Sequence, residues 1–318
     1  PGLAQRSGKS AEATEALLRS AQEKLRAARA QRTAPFVDRT RYTNWNAMMA
    51  SALLRAAAVL DDEWCRSHAL LTLERLRREN RLADTVAHTP GGIGGLLDDQ
   101  VQAAAAALDA YEITGEREWL EWSERLMDRV WSDYQDSERG GLFDTARGRP
   151  GEEGLLPARA KPVQDTPTPS PNGVARIVLG RLHELTGSSR WKQRAEELVR
   201  AFAGGGRELG LYAATYLLAV DWQLNPASHL VIVGDSTDPD AQAMHRAALA
   251  GFVPRRVVQL IVPAEVGAQP LPPALSGMLA SGLAPRGYAC SGASCSQPAA
   301  DLASWRVTLE SLRSAVTT

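Results

Sequence analysis

Apolar side chains recur with a helical period in three separate segments of the chain. In the first segment they fall at i, i+3, i+4 and i+7, a spacing that places them on one face of an α-helix. The members of this stripe are Trp45, Met48, Met49, Ala52, Leu53, Ala56, Ala57 and Leu60. Because several of them are small alanines, neighbouring helices can approach closely. We therefore predict amphipathic helices in a crowded inner layer.

Each segment ends in a tight turn, after which a tryptophan opens a second helical stretch. These tryptophans are Trp64, Trp119 and Trp191. In the second and third copies the turn has the same pattern, Glu-x-Thr-Gly-x-x-x-Trp, at residues 112–119 and 184–191. Gly115 and Gly187 fall where a helix ends in the left-handed conformation, which glycine adopts without strain. The repeat therefore predicts helical hairpins.

The connections between the hairpins differ in length. Trp64 and Trp119 are 55 positions apart, whereas Trp119 and Trp191 are 72 positions apart. An open solenoid usually keeps a strict repeat length, while a closed α/α toroid tolerates variable loops on one face. We therefore predict a mainly α fold, an α-hairpin array forming part or all of an (α/α) toroid with a small C-terminal α/β segment. The open solenoid is the alternative.

The pattern changes after Pro226. Residues 228–233 are a β-branched run, residues 239–249 have the pattern of a helix, and residues 257–262 form a second apolar run. This order predicts a βαβ unit with parallel strands. We accordingly divide the chain into a linker or helix at residues 1–40, toroid hairpins at residues 41–225 and a small α/β segment at residues 226–318.

Composition excludes several classes of function. A formal net charge of −1 and a sequence pI near 6.7 give no electrostatic footprint for nucleic acid or an anionic membrane. No apolar run approaches the ~20 residues that a membrane-spanning helix needs. We therefore predict no nucleic-acid partner, no membrane partner and a cytoplasmic location.

The cysteines and histidines give no pattern of a metal or redox site. Cys65, Cys290 and Cys295 are too few for a disulfide framework or an all-cysteine zinc site. The last two are spaced more widely than a redox Cys-x-x-Cys pair, and no nearby histidine completes a metal site. We predict no metal and no cofactor. We interpret the cysteines as reduced, with a functional Cys290–Cys295 pair as the less favoured alternative.

Six short stretches together carry a family resemblance. They are Thr43–Asn46, Leu97–Asp99, Gly140–Thr145, Thr168–Asn172, Val231–Asp235 and Tyr288–Cys290 with Cys295. In this order and spacing they resemble the C-terminal part of the YyaL-type, thioredoxin-domain-containing proteins, which include the spermatogenesis-associated relatives. The resemblance implies an N-terminal thioredoxin-like domain, a toroid similar to those of N-acylglucosamine 2-epimerases and six-hairpin glycosidases, and a short α/β tail. It also implies that this chain lacks the thioredoxin-like domain, its expected partner, and the earliest hairpins.

Polar residues stand just before the predicted first helix of each hairpin. They are Asn44 and Asn46, with the aromatic Trp45 between them, Asp98 and Asp99, and Ser170 and Asn172. In one interpretation they converge on the mouth of the toroid and bind a sugar, with the carboxylates as general acid or base. In the other they cap the helices, since Asn, Asp and Ser are favoured at helix starts. Both interpretations remain open at this point.

Two loops supply further candidates. Asp144 follows the glycines of the Gly140–Asp144 loop, which a plain turn explains equally well. Lys161 and Asp165 lie in a proline-bearing loop that is either a ligand-binding loop or a solvated one. We predict catalytic roles for Asp98, Asp99 and Asp144. We predict substrate binding by Asn44, Trp45, Asn46, Lys161, Asp165, Ser170 and Asn172.

Three hypotheses about function follow, and the sequence leaves open whether the chain is an enzyme. A carbohydrate-active toroid requires the three aspartates to lie within reach of one another. A non-catalytic scaffold for the thioredoxin-like domain requires an exposed apolar patch within residues 1–60. A redox protein requires Cys290 and Cys295 close enough for a disulfide.

Overall fold

Two helices stand ahead of the first hairpin. They are α1 (Gly2–Ser7) and α2 (Ala11–Ala30), and the Ser10 hydroxyl caps α2 by accepting a hydrogen bond from the Ala13 N–H. The structure, a computed structural model, describes residues 2–148, 159–265, 273–279, 285–292 and 294–314. The chain divides into two units, Pro1–Thr40 and Arg41–Thr318.

The helical hairpins make up most of the second unit. Its elements are α3 (Thr43–Leu60), α4 (Glu63–Glu79), β1 (Arg81–Leu82), β2 (Thr85–Val86), α5 (Leu97–Thr114), α6 (Arg117–Tyr134), α7 (Pro171–Thr186), α8 (Ser189–Ala201), α9 (Gly206–Leu209) and α10 (Ala214–Leu224). Helices α3, α5, α7 and α10 pack side by side as an inner row, and α4, α6 and α8 are their outer partners. The predicted mainly α array of helical hairpins is confirmed.

The turns of the hairpins have the predicted geometry. Gly115 and Gly187 have φ angles of 75° and 68°, and their N–H groups donate to carbonyls of the preceding helix turn. In the first hairpin Asp61 takes the same left-handed conformation with a φ of 55°. Trp119 and Trp191 are buried, whereas Trp64 is 66% exposed. The first hairpin therefore has an open side that the second and third lack.

Helix α5 is buried on all its faces. The sequence predicted an amphipathic helix here, but most of its residues have no access to solvent. Its alanines at 103, 104, 106 and 107 are fully buried. Their small side chains let α3, α6 and α7 pack closely around one helix, so α5 is the centre of the hydrophobic core.

A small α/β segment follows the hairpins. Its elements are β3 (Ser228–Val233), α11 (Pro239–Ala250), β4 (Arg256–Ile261), α12 (Pro273–Leu279), β5 (Arg286–Ser291), β6 (Ser294–Cys295) and α13 (Leu302–Ser314). The sheet order is β4-β3-β5-β6. Strands β3 and β4 are parallel and joined by α11, so the predicted βαβ unit is confirmed. Strand β5 runs antiparallel to β3, which the sequence did not predict.

The two C-terminal cysteines are bonded to each other. Cys290 and Cys295 face each other across β5 and β6, with 4.0 Å between their α-carbons, and form a disulfide. The interpretation of both as reduced cysteines is wrong, because the tight antiparallel hairpin brings them together. Cys65 is the free cysteine.

Two further absences hold for the residues that the structure describes. None of their helices is both long and apolar enough to span a bilayer. They also contain no cluster of three or more His, Cys, Asp or Glu side chains arranged to hold a metal ion.

Buried histidines join the α/β segment to the carboxyl end of α5. His245 donates from Nε2 to the Glu112 carbonyl oxygen at 2.8 Å, and a carbonyl at a helix end needs such an external donor. His229 donates from Nε2 to Gln259 Oε1 at 3.1 Å, and the Gln259 amide donates to the Tyr111 hydroxyl at 3.0 Å. Burial lowers the pKa of both histidines to about 4.

We expect these histidines to make the stability of the protein depend on pH. Since each folded-state pKa of about 4 lies below the ordinary value of 6.5, the unfolded state binds more protons between those values. Their contribution is complete above pH 6.5 and is lost as the pH falls toward 4, by up to about 3 kcal/mol per histidine. Urea unfolding from pH 4.5 to pH 8 measures this loss.

A pair of variants isolates the effect. His245→Gln removes one of the titrating groups, so its free energy of unfolding should vary less with pH than that of the unaltered protein. His68→Gln, at an exposed position of α4, is the control and should leave the slope unchanged. An unchanged slope in His245→Gln would contradict the assignment.

Candidate functional site

The amino-terminal ends of α3 and α5 meet at a network built around Asp99. The Asp99 carboxylate is fully buried and accepts hydrogen bonds from the backbone N–H groups of Leu96 and Asn44. His88 Nδ1 lies 2.9 Å from Asp99 Oδ2. Burial raises the pKa of Asp99, and the Leu96 N–H and His88 oppose that rise. Asp99 therefore holds two helix starts and a loop together.

Asp98 is placed differently from its neighbour. Its carboxylate is half-buried and accepts from Asn44 Nδ2 at 2.6 Å and from Gln102 Nε2 at 3.2 Å. Both donors are side-chain amides, so they orient the carboxylate without neutralising its charge. Of the predicted catalytic aspartates, Asp98 thus combines a fixed orientation with access to solvent.

Aromatic rings lie next to this carboxylate network. Trp45 follows Asn44 in the chain and is 57% exposed. Its ring centroid lies 4.9 Å from that of Tyr42 in an edge contact, and the Tyr42 ring lies 5.0 Å from His88. We call the set Tyr42, Asn44, Trp45, His88 and Asp98 the α3–α5 rim.

Asp144 reaches the start of α5 through its backbone. Its carbonyl oxygen accepts from the Leu97 N–H at 2.8 Å, while its carboxylate accepts from the Ala160 N–H at 3.1 Å. The preceding glycines, Gly140 and Gly141, have φ angles of 71° and 82°. They form the left-handed turn that brings this loop back to the helix.

Lys161 contacts the same glycine-containing loop through an ion pair and a hydrogen bond. Its Nζ lies 2.5 Å from Asp136 Oδ2 and donates to the Gly140 carbonyl at 2.7 Å. The Lys161 ammonium holds the pKa of Asp136 at about 2, with help from two backbone N–H groups. Lys161 thus secures the glycine turn.

The start of α7 holds the remaining predicted residues. The Ser170 hydroxyl caps the helix by accepting from the Gly173 N–H. Asp165 accepts from the Ser170 N–H at 2.7 Å and from the Thr215 N–H at 2.8 Å, so it joins α7 to the start of α10. Ser170 therefore caps a helix, which was one of the two interpretations of its position in the sequence.

Two amide side chains fasten loops to inner helices in the same way. Asn172 on α7 accepts from the Leu142 N–H and donates to the Leu142 carbonyl, at 2.8 and 2.9 Å. Gln100 on α5 makes the same pair of hydrogen bonds with Val86, at 3.0 and 2.7 Å. Asn46 on α3 instead donates to the carbonyl of Tyr42 in its own turn. We call Gln100 and Asn172 the amide latches.

A buried charge cluster lies toward the other end of the inner helices and was not predicted. Arg181 on α7 contacts Asp109 at 2.8 Å and Glu112 at 2.7 Å, both on α5. Burial alone would raise the pKa of Asp109, but the charges of Arg181 and Arg55 outweigh it and hold that pKa below its usual value. The cluster lines a cavity of about 520 Å³ between α3, α5, α7 and α10.

The repeat carried a signal for this cluster. Asp109 and Arg181 are 72 positions apart, the same interval that separates Trp119 from Trp191. An acidic side chain in one copy of the repeat and a basic side chain at the equivalent position of the next copy predict an ion pair between adjacent inner helices. His88 and Gln102 had no such signal, because they belong to no motif that recurs.

These features define the class of protein: an array of α/α hairpins with a polar rim at the amino-terminal ends of its inner helices. No protein-family model matches the chain. Spermatogenesis-associated protein 20 of Homo sapiens is 31% identical to it over 315 residues, covering 94% of this chain and 39% of the relative. The protein of the same name from Rattus norvegicus is 31% identical over 269 residues, covering 80% and 34%. The chain is homologous to these proteins and spans about two fifths of the length of the human relative.

Several solved structures are similar over part of their length. An inactive variant of an α-1,6-mannanase from Salegentibacter sp. in complex with α-1,6-mannotriose has a TM-score of 0.46 at 16% identity, over 67% of this chain and 62% of that one. A family 76 α-mannanase from Bacteroides thetaiotaomicron has a TM-score of 0.48 at 13% identity, over 68% and 59%. A cellobiose 2-epimerase from Spirochaeta thermophila has a TM-score of 0.41 at 15% identity, over 54% and 46%.

We expect the amide latches to be important for stability. Asn172→Ala removes three hydrogen bonds and leaves the buried Leu142 N–H and carbonyl without partners. Since an unsatisfied buried polar group costs about 1–3 kcal/mol, the free energy of unfolding should fall by about 2–4 kcal/mol. Chemical denaturation measures the change. Asn46→Ala is the matched control and should cost less than about 1 kcal/mol; equal losses in the two variants would contradict the latch.

Proposed function

We propose that the chain binds a saccharide at the α3–α5 rim, where the Asp98 carboxylate accepts hydrogen bonds from the hydroxyl groups of the sugar. The observation that carries this proposal is the half-buried Asp98 carboxylate, which Asn44 and Gln102 orient, together with the exposed ring of Trp45, the residue that follows Asn44. A sugar offers hydroxyl donors around its edge and an apolar face. A fixed acceptor and an exposed aromatic ring on the same rim match these two features.

The other predicted residues support the rim in this proposal. Asp99 is a positioning residue, because its buried carboxylate is occupied by Leu96, Asn44 and His88. The remaining predicted side chains likewise form hydrogen bonds with backbone groups of the loops and helix starts. They are Asp144, Lys161, Asp165, Ser170, Asn172 and Asn46. Asp98 is then the residue that would act as general acid or base in a reaction on the bound sugar.

Binding of defined saccharides to the unaltered chain tests the proposal. A panel of mono-, di- and trisaccharides that includes α-1,6-mannotriose is screened by thermal shift, and each hit is titrated by calorimetry. Asp98→Asn keeps the shape of the side chain but removes its charge, so we expect at least about a tenfold loss of affinity, which is about 1.4 kcal/mol. Trp45→Ala should cause a similar loss by removing the stacking surface.

Met49→Ala is the matched control for the tryptophan. Met49 is exposed on the same helix, one turn beyond Trp45, and is not part of the α3–α5 rim. Its affinity should equal that of the unaltered chain. The proposal fails if no saccharide in the panel binds, or if Asp98→Asn binds as tightly as the unaltered chain. Incubation of the bound sugar with the chain, followed by chromatography, reports whether it is also hydrolysed or epimerised.

A second candidate function rests on the open side of the first hairpin. We propose that this side docks a further part of a longer protein, such as another hairpin or the thioredoxin-like domain that the resemblance implies. Met49, Val59, Leu60 and Trp64 are each at least 60% exposed there. In the second hairpin the equivalent of Met49 is Ala103, which is fully buried. The homologous human protein is also longer, since the chain covers 39% of it.

Cysteine labelling distinguishes a covered face from a free one. In a Cys65→Ser background, Met49→Cys should react quickly with a maleimide in this chain. The same cysteine should react at least about tenfold more slowly when this chain is part of a protein as long as the human relative. Leu71→Cys, at an exposed position of α4, should react equally in both. Equal labelling of Met49→Cys in the two proteins would exclude docking on this face.

A further inference from the structure

Arg176 on α7 is a buried charge that forms no ion pair with a carboxylate of the described residues. Only 5% of the residue is exposed. Its Nη2 donates to Gln223 Oε1 at 3.0 Å, but Nε and Nη1 have no hydrogen-bond partner among the described residues. Glu196 attracts it from a distance and is itself paired with Arg200 at 3.1 Å. Burial lowers the pKa of Arg176 to about 10, which leaves the guanidinium charged at neutral pH.

The neighbouring arginine of the same helix shows how the fold treats such a charge elsewhere. Arg181 is equally buried, and two carboxylates from α5 accept its hydrogen bonds. A buried ion is costly unless a charge of the opposite sign accompanies it. Arg176 has only the neutral amide of Gln223 in the same role. Among the described residues, no carboxylate takes that role for Arg176, which leaves a place for an anion from solution.

A cavity suited to such an anion lies beside Arg176. It measures about 420 Å³, and its charged lining groups are Arg176, Lys192 and Glu184. Glu184 is the single acidic group of the lining, and burial raises its pKa. His183, the fourth titratable group, is bonded through Nδ1 to the Ser188 carbonyl. The charge of the cavity is thus weighted toward the positive.

The packing around the guanidinium keeps it at the cavity wall. A β-carbon added to Gly180 would lie 2.7 Å from Arg176 Nη1 and 3.2 Å from the ring of Trp222. The absence of a side chain at position 180 therefore makes room for the guanidinium. The Trp222 ring, which also lines the cavity, offers an apolar surface beside the charge.

We propose that this cavity binds a small organic oxyanion, a carboxylate or a phosphate ester, whose charge pairs with Arg176 and Lys192. Its volume lies in the range of small-molecule sites, about 300–1,000 Å³. The ligand places its oxyanion at the guanidinium and its remaining atoms against Trp222. The site is separate from the α3–α5 rim and does not depend on saccharide binding there.

Thermal unfolding of the chain tests the proposal, with inorganic phosphate and succinate as separate probes. The buffer contains no other oxyanion, and sodium chloride at equal ionic strength is the blank. At about a hundred times the dissociation constant, the bound probe should raise the midpoint by roughly 3–6 °C. A response to phosphate alone identifies a phosphate ester as the ligand class, and a response to succinate alone identifies a carboxylate.

Two variants separate a ligand-binding arginine from a structural one. Arg176→Met removes the uncompensated charge, so it should unfold at an equal or higher temperature than the unaltered chain without probe, and should not respond to either probe. Arg125→Gln, at an exposed position of α6, is the control and should respond as the unaltered chain does. The proposal is overturned if neither probe shifts the midpoint beyond the chloride blank. It is also overturned if Arg176→Met unfolds at a lower temperature without probe or retains the response.

Discussion

The helix at the centre of the inner row, α5, has neighbours on all sides, and a helix in that position must satisfy every polar group it carries. Asp99 and Gln100 do so at its amino end by binding the loop and the helix start of the first hairpin. Asp109 and Glu112 do so near its carboxyl end through Arg181. The same helix thus positions the rim at one end and anchors the α/β segment at the other, where His245 binds the Glu112 carbonyl.

The sequence predicted what is local and what repeats. The hairpins followed from the apolar period and from the glycine turns at Gly115 and Gly187, because helix and turn are decided by residues a few positions apart. The βαβ unit followed from β-branched runs on either side of a helical pattern. Strand β5 did not, since its antiparallel pairing with β3 joins distant segments and no local pattern records it. The disulfide was also missed, because it depends on the β5–β6 hairpin, for which the sequence showed no strand pattern.

In the candidate site, too, the sequence predicted the residue types but not the features that arise from packing. Residue types and their positions in the sequence identified Asn44, Asp98 and Asp99 as candidates, and the structure brings these residues into one network. They could not tell the solvent-accessible carboxylate of Asp98 from the buried one of Asp99, because that difference arises from packing against the first hairpin. Arg176 and Arg181 lie five positions apart on one helix, and the repeat interval of 72 positions pairs Arg181 with Asp109 but Arg176 with Ala104. Only the neighbouring helices give one of them carboxylates and leave the other with an amide.

The amide latches have a consequence for how such arrays change over time. Each latch fixes one residue of a connection between hairpins to one helix, across 14 residues at Gln100 and 30 residues at Asn172, with the same pair of hydrogen bonds. The entropy of closing a loop rises only by about 0.6 kcal/mol for each doubling of its length. Insertions between latch and helix are therefore inexpensive and leave the helix starts in register. Loops of this kind can acquire new ligand specificity while the scaffold beneath them stays the same.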